Sequence, residues 1–314
     1  MKKTFMFCLA LWMNTILFAQ VGSDFYKKGN ECFAKKDFKG AVAAYSKAIE
    51  QNPKNEDYFY KRGLAYLELN KSQSAFEDFT MGIKINSFSA KIYIERAYLL
   101  HKAQMIDEAL ADYTMAINYA KVDSIRKSAM SNRGTIRHLK LDYEGAYEDS
   151  YKVYLMDTTS LDGMNNLATV LDDLNRKDEA IAMLKRMIKQ DTTYVGGYLN
   201  LAFQLSKSGK YVEAAPYFEK CVQLAPKMAY NYNNRGYNRL KLGDIDGALK
   251  DINYSIKLDP NNSWAYKNRG LAYIEQGKKE KACVEFNKSI ELGYSRQYGP
   301  EVEELIKKNC GNGN

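Results

Sequence analysis

From residue 20 onward, apolar positions recur in two alternating blocks, each spaced i, i+4, i+7, which puts them on one face of a helix. The blocks themselves repeat. Aligning Gly29, Gly63 and Gly270 brings the chain into register with a period of 34 residues. Eight units start at Gly22, Glu56, Ala90, Lys127, Leu161, Val195, Ala229 and Ser263. One step, from Ala90 to Lys127, is three residues too long. The eighth place of every unit is Gly or Ala, from Gly29 to Gly270, and the twentieth is alanine in all eight, from Ala41 to Ala282. Places 4, 8 and 11 share a face of a first helix; places 20, 24 and 27 share a face of a second. Small residues at 8 and 20 let the two axes approach, while large ones at 4 and 24, such as Phe59 and Phe79, fill the space beside them. Ser150 is the exception at place 24. Pro53, Pro226 and Pro260 close their units at place 32, where a helix must stop. One hairpin of this size cannot bury its own apolar faces, but stacked hairpins can. The spacing therefore predicts an all-α chain, an α-solenoid of eight 34-residue helix-turn-helix units.

After the last unit, Pro300 to Lys308 predicts one more helix. Acids stand at its start, lysines at its end, and Val302, Leu305 and Ile306 share a face. It reads as a capping helix that shields the last unit from water.

The pattern resembles the tetratricopeptide repeat family, over about Gly22 to Tyr294. The stretch Trp264–Tyr294, with Tyr266, Gly270, Tyr273, Ala282 and Phe286, carries the resemblance most fully. It implies antiparallel helix pairs coiled into a right-handed superhelix, with a concave groove lined by the first helices. Three features depart from the family pattern. Arg137 and Arg239 stand at place 11, where a large apolar residue is usual. Pro216 falls inside a second helix and is expected to kink it. The three extra residues between Tyr119 and Lys127 are expected to change the local curvature.

Place 7 is arginine in five units, Arg62, Arg96, Arg133, Arg235 and Arg269, and the same five carry an acid at place 23: Asp78, Asp112, Asp149, Asp251 and Glu285. The other three units lack both. Joint presence and absence predicts a bridge between the two helices of a unit, partly exposed and worth about 0.3–1 kcal/mol.

The first 19 residues differ from the rest. Lys2 and Lys3 precede an almost wholly apolar run that ends at Ala19, the layout of a secretory signal peptide cleaved before Gln20. The domain reading is a signal peptide at 1–19, the repeat solenoid at 20–296, and a capping helix with tail at 297–314. Export places the protein in the periplasm or outside the cell, where disulfides form. Place 21 of the last unit faces the next first helix in the family, which here is the cap, so a disulfide between Cys283 and Cys310 is expected. Cys32 and Cys221 occupy core places and are expected to be free, buried thiols.

Composition narrows the function. The net charge is +8, from 46 Lys and Arg against 38 Asp and Glu. Opposite charges are interleaved, with no basic cluster among aromatics, so a nucleic-acid partner is not expected. No nucleophile motif, phosphate loop or C-x-x-C occurs, and no enzyme activity or cofactor is expected. The resemblance assigns groove positions to places 2, 5, 6, 9, 12 and 13. In the C-terminal units these give Phe203, Tyr230, Tyr237 and Trp264, with Asn200, Asn233, Asn234, Lys267 and Asn268 between them. Aromatics beside asparagines suit an extended peptide, whose backbone the amides bond and whose side chains the rings cover. The expected function is a non-catalytic scaffold that binds a protein or peptide in the groove. The alternative is a metal-binding or enzymatic protein using His101, His138 and Asp172, which recur at place 12 of successive units.

Overall fold

A computed structural model describes residues 22–311; the segment read as a signal peptide lies outside them. The described residues form helices joined by short turns, and no strand. The chain divides into two compact units, one ending at Thr158 and one beginning at Thr159.

The first unit holds eight helices. Helix α1 covers residues 22–34. It is followed by α2 (Phe38–Gln51), α3 (Glu56–Glu68), α4 (Ser72–Ile85), α5 (Ala90–Lys102), α6 (Ile106–Tyr119), α7 (Asp123–Leu139) and α8 (Tyr143–Met156). The second unit holds α9 (Leu161–Asp173), α10 (Lys177–Gln190), α11 (Val195–Lys207), α12 (Tyr211–Leu224), α13 (Ala229–Lys241), α14 (Ile245–Leu258), α15 (Ser263–Glu275) and α16 (Lys279–Glu291). It ends with the short α17 (Tyr294–Tyr298) and α18 (Glu301–Asn309). Within each unit the helices pack mainly on their neighbours in sequence, as a stack of hairpins does, except that α18 packs chiefly on α16. Apolar residues of successive helices cluster between them, Ala75, Phe79, Ile92 and Leu99 in the first unit and Ala282, Phe286, Tyr294 and Val302 in the second.

The close approach inferred from places 8 and 24 is present. A Cβ on Gly63 would lie 2.5 Å from the Phe79 ring, and one on Gly270 would lie 2.4 Å from the Phe286 ring. Of the seven first helices after α1, six start at the residue that opens their repeat. The exception is α7, which starts at Asp123; the three extra residues lengthen its first turns, giving 17 residues instead of 13. Pro216 does not interrupt α12. It stands in the second turn, beside the highly exposed Val212 whose carbonyl it leaves unpaired, so water can replace the lost bond.

Each hairpin turns through a left-handed residue at place 15: Lys36, Asn70, Gln104, Leu141, Asn175, Gly209, Gly243 and Gly277. The next residue donates its N–H to the carbonyl five positions back, as Lys71 does to Tyr66 at 2.8 Å and Lys278 to Tyr273 at 2.8 Å. This closes the first helix in a Schellman turn. Asp37, Asp142 and Asp244 then cap the following helix, accepting from the N–H of Gly40, Gly145 and Gly247.

All five Arg–acid bridges are present. Arg62, Arg96, Arg133 and Arg235 grip their aspartates through two guanidinium nitrogens at 2.7–2.9 Å, and Arg269 donates to Glu285 at 2.7 Å. They differ from the expectation in depth. The Asp149 carboxylate is 0% exposed and Asp251 4%, because the small residues at places 8 and 20 draw the helices over them. The two unusual arginines at place 11 join the same network: Arg137 Nη1 lies 3.0 Å from Asp149 and Arg239 Nη1 2.9 Å from Asp251.

Candidate functional site

The second unit contains a cavity of about 370 Å³ between the first helices of its last repeats and the cap. Place 9 of α11 and of α13 brings Phe203 and Tyr237 to it, and place 6 of α13 brings Asn234. The first turns of α15 bring Trp264, Lys267 and Asn268. Ser206, Lys207, Tyr211, Phe218 and Glu301 complete the wall. Phe203 is 58% exposed and makes the open side; Tyr237 is half-buried, and burial raises its phenol pKa.

Six of the nine sequence-predicted groove residues meet here. Tyr230, Asn200 and Asn233 do not line the cavity. Three of the nine, Asn233, Lys267 and Asn268, were expected to face a ligand but are buried and engaged within the protein. The reason is the register of the stack, in which place 5 of one repeat meets place 6 of the next. Asn268 Nδ2 donates to Asn233 Oδ1 at 2.9 Å, and Asn200 Nδ2 donates likewise to Asn165. These amides clamp neighbouring repeats together. Asn268 Oδ1 is left buried without a partner.

Lys267, at place 5, reaches the cap at a spacing of one full repeat, 34 residues, instead of the 35 of the amide pairs. Its Nζ donates to Glu301 at 2.8 and 3.0 Å and to the Tyr294 hydroxyl at 3.1 Å, and lies 4.3 Å from the centre of the Trp264 ring. Tyr294 in turn donates to Glu301 at 2.6 Å. Burial pulls the Lys267 ammonium below its usual range, against the opposing pull of Glu301. Burial would raise the Glu301 carboxyl, but the hydrogen bonds from Lys267 and Tyr294 carry it below its usual value. Burial and then Glu301 itself push the Tyr294 phenol upward. The Trp264 ring stands edge-on to Tyr294 and Tyr298, at 5.0 and 5.1 Å between centroids, so it is shared between cavity and cap.

Glu301 was not among the sequence candidates, although it stands one repeat length after Lys267. Lys207 was also missed; it is salt-bridged to Asp172 at 2.8 Å. That bridge changes the reading of Asp172 as a metal ligand. Burial would raise its carboxyl, yet the hydrogen bond from Lys207 lowers it. Among the described residues, no group of three or more His, Cys, Asp or Glu side chains is placed to hold a metal ion, so His101, His138 and Asp172 are not brought together as one.

Cys283 and Cys310 are joined by a disulfide with Cα atoms 5.7 Å apart, tying α16 to the end of α18. Cys221 is free and buried; Cys32 is free and only partly buried.

Family descriptions match five stretches: "TPR repeat" at residues 29–70, and "Tetratricopeptide repeat" at 160–189, 195–228, 229–262 and 252–284. Among curated proteins, the chain is similar to the Small glutamine-rich tetratricopeptide repeat-containing protein 2 of Mycosarcoma maydis, at 28% identity over 104 residues, 33% of this chain and 30% of that one. It is similar to Serine/threonine-protein phosphatase 5 of Homo sapiens at 28% over 137 residues, 44% of this chain and 28% of that one. It is also similar to the Hsp70/Hsp90 co-chaperone CNS1 of Saccharomyces cerevisiae at 24% over 163 residues, 48% and 42% of the two chains. The match thus spans less than half the length of each relative. Among solved structures, a tetratricopeptide repeat protein from Parabacteroides merdae superposes with a TM-score of 0.68 at 17% identity, over 82% of this chain and 99% of that one. The C-terminal part of a TPR repeat-containing protein from Cytophaga hutchinsonii does so at 0.63 and 17%, over 78% and 99%. At such identity these neighbours show the fold, an all-α solenoid.

Proposed function

Tetratricopeptide repeats run through this chain, and from that premise we propose that it is a non-catalytic scaffold of the cell envelope that seats a segment of a protein partner in the cavity of the second unit. Similarity to a tetratricopeptide repeat-containing protein and to an Hsp70/Hsp90 co-chaperone supports protein–protein interaction as the general role. The phosphatase activity in one relative's name belongs to that protein, of which the match covers 28%.

One observation carries the choice of site: an aromatic-lined cavity of about 370 Å³, with Phe203 exposed at its mouth. That is the lower end of the size range for small binding pockets and suits one anchoring side chain with its flanking backbone. Exposed aromatic side chains in such clefts are where binding energy concentrates. Export through residues 1–19 is supported by their basic-then-apolar pattern and by the Cys283–Cys310 disulfide, a bond typical of oxidising compartments. No helix among the described residues is long and apolar enough to cross a membrane.

The test is capture of partners from an envelope fraction by tagged full-length chain, identification by mass spectrometry, and affinity measurement. Phe203→Ala and Tyr237→Ala should each weaken binding by ~2 kcal/mol, about thirtyfold. Lys250→Ala, an exposed change on α14, should leave it unaltered. Equal affinities in all three would place the partner elsewhere.

A further inference from the structure

The cap does more than close the last repeat. Glu301 is a wall of the cavity, and Trp264 and Lys267 take their positions from Tyr294, Tyr298 and Glu301. Yet the cap is made of helices too short to be stable alone, five residues in α17 and nine in α18. Each is entered or left through a left-handed glycine, Gly293 at φ 85° and Gly299 at φ 90°. Two kinds of contact hold them down. One is the burial of Tyr294 and Val302 against Ala282 and Phe286. The other is covalent: the Cys283–Cys310 bond pins the far end of α18 to α16. A disulfide limits the freedom of the loop it closes, and removing it returns that freedom to the segment between the two cysteines. That segment contains the whole cap.

We propose that the cap is a functional wall of the binding site and that the Cys283–Cys310 disulfide locks it there, so that partner binding is confined to oxidising surroundings. The inference rests on the cavity being the partner's seat. In the reverse reaction a thiol reductant attacks one cystine sulfur. A mixed disulfide forms, and a second reductant thiolate resolves it. Two electrons and two protons end on Cys283 and Cys310, and the reductant leaves as its own disulfide. Glu301 then releases Lys267, a residue only 4% exposed while the cap is closed. The cavity loses its charged wall and the support of Trp264. A reduced chain, as it stands before export, is thereby kept from premature engagement.

Lysine footprinting of the full-length chain tests this without a ligand. The oxidised protein, the protein in excess dithiothreitol and the Cys283→Ser/Cys310→Ser variant are acetylated with an N-hydroxysuccinimide ester and digested. Acetylation of Lys267 should rise at least tenfold in the last two, approaching the exposed Lys250, while hydrogen exchange in α13 and α14 stays the same. Equal Lys267 labelling in all three forms overturns the proposal. So does loss of protection across α13 and α14, which would make the bond a support of the whole unit. The captured partner should bind the variant at least tenfold more weakly than the oxidised chain. An unlocked Lys267 with undiminished binding would overturn the gating, and it would count against the cavity as the partner's seat while leaving the lock itself established.

Discussion

Arg239 and Arg235, one helical turn apart on α13, hold the same oxygen of Asp251, Nη1 of the first at 2.9 Å and Nε of the second at 2.7 Å. A place that normally carries an apolar side chain has been recruited to a buried acid. Asp149 is held in the same way by Arg133 and Arg137, whereas Asp78 and Asp112 are gripped by one arginine each. Breaking a buried pair from one side leaves uncompensated charge, at a cost of about 3–5 kcal/mol. Asp251→Asn should therefore destabilise by at least ~3 kcal/mol. Urea unfolding of the second unit, followed by circular dichroism, measures it. A loss no larger than that of an exposed surface pair would show that the buried carboxylate does not anchor the two arginines.

The place-15 turns permit a test of backbone conformation alone. Gly243 has φ 82° and nothing within 4 Å of a Cβ placed there, so Gly243→Ala should cost about 1 kcal/mol through the left-handed penalty without a clash. Leu141 occupies the equivalent position at φ 62°, and Leu141→Gly should raise stability by about 0.5–1 kcal/mol. Opposite signs for the two variants in thermal unfolding are the expected result.

Acidification should loosen the cap. Burial favours the neutral Glu301 carboxyl, but the hydrogen bonds from Lys267 and Tyr294, with the charges of Lys267 and Lys241, carry its pKa below the ordinary 4.5; Tyr237 faces it as well. A depressed carboxylate pKa in the folded state supplies stability above about 4.5 and loses it as pH falls through the folded value. Lys267 has the opposite balance. Its lowered pKa is unfavourable while it is protonated, and that penalty fades only as pH rises from the folded value toward 10.5. The fluorescence of Trp264, read in a Trp12→Phe background, should change below pH 4.5. Glu301→Gln should flatten that change.

The two free thiols should part in reactivity. Burial pushes the Cys221 thiol up to about 12, so iodoacetamide at neutral pH should leave it unmodified in the native chain. Cys32 is partly exposed and should be labelled first. Comparable rates, followed by peptide mass spectrometry, would mean that α12 opens readily.

The repeat period, the helix pairing and the Arg–acid bridges were legible because each recurs, so a contact at one place is written several times over. Gly63 against Phe79 and Gly270 against Phe286 repeat one steric rule. The site was legible only in part. Phe203 and Tyr237 follow from their place numbers, whereas Asn233, Asn268 and Lys267 are consumed by contacts between repeats. A rule drawn from the face of one helix says which way a side chain points, not whether the next repeat has already engaged it. Glu301 lay beyond the last full unit, where the register continues but the family pattern ends.

The left-handed turn also bears on how such a chain changes length over generations. At Gly209 and at Gly243 the backbone has nearly the same φ, 74° and 82°, and the following N–H makes the same bond to the carbonyl five residues back. Excising residues 210–243 would join Gly209 directly to Asp244, with the turn intact and a ready-made aspartate cap for the next helix. Unequal exchange between gene segments at these points therefore adds or removes a whole hairpin without creating a new loop. The damage falls on side-chain contacts that span repeats. In this excision Asn233 is lost from beneath Asn268, so copy number is free to drift only where such neighbour-specific pairs are absent or have been duplicated along with the hairpin.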